Sequence, residues 1–210
     1  MCTAGLPDQD IQHEILVSLR LSHPNIVRLM AAARTDNAFL LANEYIHGPT
    51  LADALHNDNS CVKIDQFSKK AVLTDWGLAN IRDTVVLRQG SRITGGRIGP
   101  MGGTFLYMAP ECLVEFEQAS SGSDIWSLGA TYLEIFTKSV PWTVKNQRQL
   151  CSLMATKVPP HALQHLHEKY RFIDTMLHYD VASRPEASSV VLSIKTVEGP
   201  DLKSRYGYKW

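Results

Sequence analysis

The sequence has no cysteine pair at CxxC spacing, no long apolar run and no excess of either charge. Its four cysteines, Cys2, Cys61, Cys112 and Cys151, lie far apart. This spacing argues against a zinc site or a disulfide framework and favours buried free thiols. Lys and Arg together number 21, as do Asp and Glu, so the total charge indicates no nucleic-acid partner.

The apolar segments are too short to cross a bilayer. The most apolar one, residues 125–136, contains Ser127, Thr131 and Glu134. The first ten residues are neither basic nor apolar, so we expect no signal peptide. With 44% hydrophobic and 20% charged residues, the chain of 210 residues is expected to be globular and intracellular, in the reducing cytoplasm, with no membrane span.

The first third of the chain mixes helical and strand-like patterns. Its predicted elements are a helix over residues 11–22, strands over 26–33 and 39–46, a short helix over 51–55, and strands over 61–64 and 71–73. Pro24 ends the first helix because it removes an N–H and restricts the residue before it. Thr50 is expected to cap the short helix.

The second half reads as helical. Residues 80–103 are rich in Gly, Arg and Thr and have no period, which predicts a long surface loop. The predicted helices that follow cover residues 124–137, 146–156, 161–178 and 185–195. Strands in the first third and helices in the second half predict an α+β fold.

Five motifs occur in a fixed order. They are Glu14 nine residues before His23-Pro24-Asn25, then Asp75-Trp76-Gly77, Gly103-Thr104 leading to Ala109-Pro110-Glu111, Ser123-Asp124 leading to Leu128-Gly129, and Asp180 with Arg184-Pro185. This set resembles a eukaryotic protein kinase of the serine/threonine type, from Gln12 to about Ile194. Trp76 departs from the usual Phe of that family.

The resemblance implies a kinase-like fold in two lobes. A partial N-lobe over residues 1–46 would hold the regulatory helix and two or three strands. A mainly helical C-lobe over residues 47–198 would lack its central helix and catalytic loop, and residues 199–210 would form a tail. The implied family activity is ATP-dependent phosphorylation of protein Ser/Thr with Mg²⁺, on a protein substrate or with a protein partner.

The resemblance assigns nucleotide-site roles to four residues. Glu14 matches the regulatory-helix glutamate that pairs with a strand lysine, and Glu44 and Ile46 match the hinge that meets adenine. Asp75 matches the metal-binding aspartate, because Mg²⁺ prefers oxygen ligands.

Other matched residues have structural or regulatory roles. Thr94 and Thr104 lie in the activation segment, where a solvated hydroxyl is the alternative to a phosphorylation site. Glu111 and Arg184 match a buried ion pair. Asp124 matches the aspartate that anchors the catalytic-loop backbone, and its alternative is a first-turn acid favoured by the helix dipole.

Several family parts have no counterpart in this sequence. No Gly-rich strand pair or strand lysine precedes the helix at residue 11. Between Leu55 and Cys61, about 30–35 residues that would carry the central helix and the His-Arg-Asp loop are missing. Cys61 stands where a metal-binding Asn belongs, and thiol is a poor ligand for Mg²⁺. Asp58 is only three residues before Cys61, too close for the catalytic base.

No catalytic residue is therefore assigned, and binding of ATP and Mg²⁺ by this chain is in doubt. The first interpretation is a serine/threonine kinase-domain protein with impaired catalysis. The alternatives are a non-catalytic, pseudokinase-like binding module, or a product of exon skipping or a faulty gene model that has no function of its own.

Overall fold

The computed structural model describes residues 8–35, 39–56, 71–74 and 104–198. The described residues up to 74 belong to one compact unit, and those from 104 onward belong to a second. The predicted strand over 61–64 and the predicted loop over 80–103 lie outside the described residues. The predicted lobe boundary after residue 46 stays a prediction.

The described residues of the first unit form two helices and one strand pair. In chain order they are α1 (Asp8–Arg20), β1 (Leu29–Arg34), β2 (Phe39–Asn43) and α2 (Leu51–His56). The strands pair antiparallel, with Arg34 opposite Phe39, and α1 contacts β1. Both strands are shorter than their sequence patterns predict, since β1 begins at Leu29 rather than residue 26 and β2 ends at Asn43 rather than residue 46.

Local hydrogen bonds extend and cap these elements. The Thr50 hydroxyl accepts a hydrogen bond from the Asp53 N–H at 3.1 Å and donates to Asp53 Oδ2 at 2.7 Å, so the predicted cap of α2 is confirmed. Ile26 forms an isolated parallel bridge with Leu73. The residues predicted to form a strand over 71–73 therefore contribute a single bridge among the described residues.

The described residues of the second unit form helices and short 3₁₀ turns joined by loops. Its helices are α3 (Pro110–Leu113), α4 (Ser121–Thr137), α5 (Gln147–Ala155), α6 (Phe172–Met176) and α7 (Ala187–Glu198). Short 3₁₀ turns cover Thr104–Tyr107, His161–His165, Glu168–Tyr170 and Val181–Ser183. The predicted helices over 124–137, 146–156 and 185–195 are confirmed with small shifts at their ends.

The prediction of one helix over residues 161–178 is wrong. This segment forms two 3₁₀ turns followed by α6. Leu166 and His167 between the turns adopt extended backbone, with ψ angles of 124° and 142°. His167 Nδ1 accepts a hydrogen bond from the Lys169 N–H at 3.1 Å. This local bond replaces a helical one, a competition that apolar periodicity does not reveal.

Helix α4 is the centre of the helical unit. Ser120 and Ser123 form a reciprocal capping box at its start, and Lys138 ends it in the left-handed conformation. Its inward face enters a core formed by Ala109, Leu113, Trp126, Ala130, Leu133, Trp142, Leu150, Met154, Ala162, Leu166, Ile173 and Leu177. Burying one large apolar side chain stabilises a fold by about 1.5–3 kcal/mol, so this core supplies the main driving force for the unit.

Helices α4 and α6 approach each other closely at Gly129. A Cβ placed there would lie 2.9 Å from Met176 Cβ, so the position accepts only glycine without movement of α6. Among the described helices, none is both long and apolar enough to cross a membrane.

Candidate functional site

The residues with site chemistry in the helical unit surround the segment from Thr104 to Leu113. A 3₁₀ turn over Thr104–Tyr107 leads into α3, which starts with Pro110 at its first helical position. Proline is favoured there because its missing N–H would have no helical partner. The segment then places Glu111 against the start of α4.

Glu111 and Arg184 form a bidentate ion pair. Arg184 Nη1 donates to Glu111 Oε1 at 2.7 Å, and Nη2 donates to Oε2 at 2.8 Å. Glu111 is 6% exposed and Arg184 is 7% exposed. The structure thus brings together two residues that the sequence places 73 positions apart.

The remaining groups of Arg184 are also used. Nε donates to the His178 carbonyl at 2.7 Å, and Nη1 donates to the Gly122 carbonyl at 2.9 Å. The guanidinium lies 5.1 Å from the centre of the Trp126 ring, a cation–π contact. Arg184 therefore joins α3, the start of α4 and the segment after α6, a role that the single amine of lysine cannot fill.

Ser123 is the second partner of Glu111. Its hydroxyl donates to Glu111 Oε1 at 2.8 Å and accepts from the Ser120 N–H at 3.1 Å. Burial opposes ionisation of Glu111, but the hydrogen bonds from Arg184 and Ser123 outweigh it and lower the pKa of this carboxyl below 4.5. The anchor therefore consists of an ionised carboxylate held by a guanidinium and a helix cap.

The thiol of Cys112, the residue after Glu111, has a raised rather than a lowered pKa. Cys112 Sγ lies 3.4 Å from Ser123 Oγ, and burial raises the pKa of this thiol. Cys112 and Cys151 are free, as the cysteine spacing predicts, but they are half-buried rather than buried, and Cys2 and Cys61 lie outside the described residues. A raised pKa reduces the thiolate fraction, which disfavours reaction of Cys112 as a nucleophile.

A second buried contact joins the segment from Thr104 to Leu113 to α4. The Tyr107 hydroxyl donates to Glu134 Oε2, and Glu134 is buried. Burial and the neighbouring carboxylate raise the pKa of Tyr107 above its usual 10. Residues 104–111 are therefore fixed at two points, Tyr107 and Glu111.

Asp124 lies exposed in the first turn of α4, and its N–H donates to the Ser120 carbonyl at 3.0 Å. This position favours an acid through the helix dipole. Its assignment as the anchor of a catalytic loop stays a prediction.

Three assigned nucleotide-site residues lie in the described part of the first unit. Glu14 is half-buried on α1. Glu44 makes a two-point contact with Arg28, since its Oε1 accepts from the Arg28 N–H at 2.9 Å and its own N–H donates to the Arg28 carbonyl at 2.9 Å. Ile46 and its neighbour Tyr45 are exposed. The structure does not bring Glu44 or Ile46 into a buried site.

The remaining assigned residues are not placed by the structure. Asp75 and Thr94 lie outside the described residues, and Thr104 begins the first 3₁₀ turn. Within the described ranges, no group of three or more His, Cys, Asp or Glu side chains could hold a metal ion. The assignments of Asp75, Thr94 and Thr104 stay predictions.

Sequence reasoning missed two structural features of this region. The Tyr107–Glu134 contact joins residues 27 positions apart. The sequence signal for it is an acidic residue on the apolar face of α4. The second is Phe116, which is 86% exposed with a left-handed φ of 56°. Its surroundings, Glu115 and Glu117, could have indicated an exposed turn.

Comparisons with known proteins place these observations in a family context. The sequence model of the protein kinase domain family matches residues 64–193 of this chain. A probable serine/threonine-protein kinase of Dictyostelium discoideum is 23% identical over 87% of this chain and 42% of its own length. Mitogen-activated protein kinase kinase kinase ANP1 of Arabidopsis thaliana is 25% identical over 64% of this chain and 24% of its own length. The chain therefore spans less than half of either relative.

A solved structure shows the fold. The crystal structure of the Rad53 kinase domain and SCD2 matches 87% of this chain and 76% of that chain, with a TM-score of 0.62 and 21% identity. The expected α+β architecture, a partial strand-containing lobe followed by a mainly helical lobe, is confirmed by this likeness.

Proposed function

Because the chain belongs to the protein kinase domain family, we propose that it is a serine/threonine-type kinase-domain protein that transfers no phosphate itself. Its helical unit serves as a non-catalytic module that binds protein segments. The observation that carries this proposal is the combination of a complete Glu111–Arg184 anchor with a neighbouring sequence that has no catalytic loop.

The sequence between α2 and Ala71 supports the proposed loss of phosphoryl transfer. Only residues 57–70 separate α2 from Ala71, and they contain no His-Arg-Asp motif. Phosphoryl transfer depends on positioning the nucleophile and on neutralising phosphate charge with metal ions and cations. Without an aspartate base and a second metal-binding residue in this segment, neither requirement is met.

The assigned metal ligands support this proposal. In the family, ATP meets the hinge backbone at Glu44 to Ile46; here the Glu44 side chain and N–H bind Arg28 and Ile46 is exposed, which neither favours nor opposes nucleotide binding. Mg²⁺ would supply charge neutralisation at the phosphates if it were held, and Asp75 is the one residue assigned to hold it. We infer that the set of metal ligands is incomplete.

The helical unit supports the second part of the proposal, the binding of protein segments. In the family, the segment equivalent to residues 103–111 receives the protein substrate. Here Glu111 and Tyr107 hold that segment against α4 through buried contacts that need no nucleotide. A rigid segment of this kind retains the capacity to bind a protein even when transfer is lost.

The test is a phosphoryl-transfer assay on the full chain. We expect no transfer of the γ-phosphate to a generic serine/threonine protein substrate, together with retention of the chain on an immobilised degenerate serine/threonine peptide library. Transfer that disappears in an Asp75→Ala variant would overturn the proposal.

A further inference from the structure

The loop after α3 presents an aromatic ring between two negative charges. It consists of Glu115, Phe116 and Glu117. Phe116 is 86% exposed, and both glutamates are exposed as well. Neither glutamate forms an ion pair within the described part of the chain. The loop therefore offers a partner an apolar anchor and two uncompensated charges.

The backbone holds Phe116 outward in a strained conformation. Its φ of 56° is one that bulky residues rarely adopt. The Glu117 N–H donates to the Glu111 carbonyl at 2.9 Å, which attaches the loop to the buried anchor. Strained positions that the surrounding structure maintains occur preferentially where proteins bind or switch. We therefore looked for a segment whose chemistry complements the loop.

The sequence after α7 has this complementary chemistry. Residues 199–210, the tail, lie outside the described residues, and their sequence is GPDLKSRYGYKW. Three basic residues and one acidic residue give the tail a net side-chain charge of +2. Tyr206, Tyr208 and Trp210 alternate with other residues, a spacing that places all three rings on one face of an extended segment.

The aromatic residues distinguish the tail from the other basic segments. The stretches over residues 57–70 and 75–103 also lie outside the described residues, and each has an excess of basic residues. Each contains a single aromatic residue, Phe67 and Trp76 respectively. Aromatic rings pair favourably with one another beyond the area that they bury, so Phe116 favours the tail as its partner.

The tail is long enough to reach the loop of its own chain. Arg184 binds Glu111 beside the loop, and α7 begins three residues later. The 12 residues of α7 carry the chain about 18 Å from this point, whereas residues 199–210 span up to about 40 Å when extended. Gly199 and Pro200 favour an end to the helix and a change of direction. The tail can therefore run back along α7 and past Arg184.

We propose that the tail docks on the Glu115–Phe116–Glu117 loop of the same chain. The aromatic residues of the tail pack against Phe116, and its basic residues face the two glutamates. Aromatic residues are favoured anchors at interfaces, and complementary charge fixes their orientation. The docked tail covers the exposed ring next to the segment from Thr104 to Leu113.

This inference goes beyond the proposed loss of phosphoryl transfer and does not depend on it. Neither the loop nor the tail contains a residue assigned to nucleotide or metal. A chain that transfers phosphate and still protects its tail would overturn the proposed function alone. A chain without transfer whose tail is unprotected would overturn the docking proposal alone.

The test is limited digestion of the full chain with chymotrypsin, which cleaves after Tyr206 and Tyr208. Mass spectrometry measures how fast the tail peptides are released, a rate that follows the fraction of chains with an undocked tail. Phe116→Ser removes the anchor and should accelerate release by about tenfold or more. Val140→Ser removes another exposed apolar side chain and should leave the release rate unchanged.

Reversal of the charges separates docking from misfolding. Glu115→Lys with Glu117→Lys should accelerate release, and so should Lys203→Glu with Arg205→Glu. The four changes together restore opposite charges across the contact, so they should restore slow release. A synthetic peptide of residues 199–210, with and without the two tail changes, gives the cleavage rate of an undocked tail and corrects for the preference of the protease.

Three results would overturn the proposal. The first is release that is equally fast from the unchanged chain and from Phe116→Ser. The second is fast release from the variant with all four charges reversed. The third is protection that increases with protein concentration, because such protection would place the contact between copies. Slow release that is independent of concentration is the result that we expect for the unchanged chain.

Discussion

Arg184 holds both carboxylate oxygens of Glu111, at 2.7 and 2.8 Å, from a position 73 residues later in the chain. The contact connects α3 to the segment that precedes α7, and both side chains are buried. It therefore connects two parts of the helical unit that are distant in the sequence.

Removing one member of this pair should destabilise the helical unit strongly. Glu111→Gln leaves the guanidinium buried without its counter-charge, and the expected loss is about 3–5 kcal/mol. Urea unfolding followed by tryptophan fluorescence measures this loss, because Trp126 lies against Arg184 and is buried. The exposed pair Arg171 and Asp174 is the matched control, where Asp174→Asn should cost no more than about 1 kcal/mol.

A double variant tests the electrostatic reason. Glu111→Leu with Arg184→Leu removes both charges, so the loss should be smaller than the sum of the two single losses. Strictly additive losses would show that the two residues stabilise the unit independently, contrary to this account.

The stability of the helical unit should fall in acid through Glu111. Its pKa in the folded chain lies below 4.5, so the unfolded chain binds a proton at higher pH than the folded one does. The stabilisation is therefore complete above about pH 4.5 and is lost as the pH falls through the lower folded pKa. Acid titration of the urea midpoint should show a component that Glu111→Gln lacks, and identical pH profiles for the two chains would refute this assignment.

Ser123 should contribute more than an ordinary surface serine. Ser123→Ala removes the hydrogen bond to Glu111 and one half of the capping box, for a combined loss of about 1.5–3 kcal/mol. Ser127→Ala, one turn further along α4, should change the free energy of unfolding by less than about 0.5 kcal/mol. Equal effects of the two substitutions would remove Ser123 from the anchor.

Interactions between residues close in the sequence could be predicted from local patterns, whereas interactions between distant residues could not. The cap at Thr50 and the helix predicted over 124–137, observed over 121–137, follow from local patterns, since capping residues and apolar spacing act within a few positions. The pairing of Glu111 with Arg184 came only through the family resemblance, because no local pattern connects residues 73 positions apart. The break at Leu166 and His167 was missed because an imidazole–backbone bond overrides periodicity there.

Lys138 offers a stabilising substitution. It ends α4 with a φ of 59°, a conformation in which a side chain is strained and glycine is not. Lys138→Gly should therefore raise the free energy of unfolding by about 0.5–1 kcal/mol. Thermal unfolding of the full chain measures the gain, and a lower midpoint would mean that the lysine charge at the helix end outweighs the strain.

The central claim is the proposed combination of a folded kinase-type helical unit with a loss of nucleotide binding, and thermal unfolding with and without Mg·ATP tests it most directly. The account predicts a cooperative transition, reported by the buried Trp126 and Trp142, whose midpoint Mg·ATP does not shift. A ligand present at 100 times its dissociation constant would add about 2.7 kcal/mol, which is a readily measured shift. A shift of that size that disappears in Asp75→Ala would contradict the account, as would the absence of any cooperative transition.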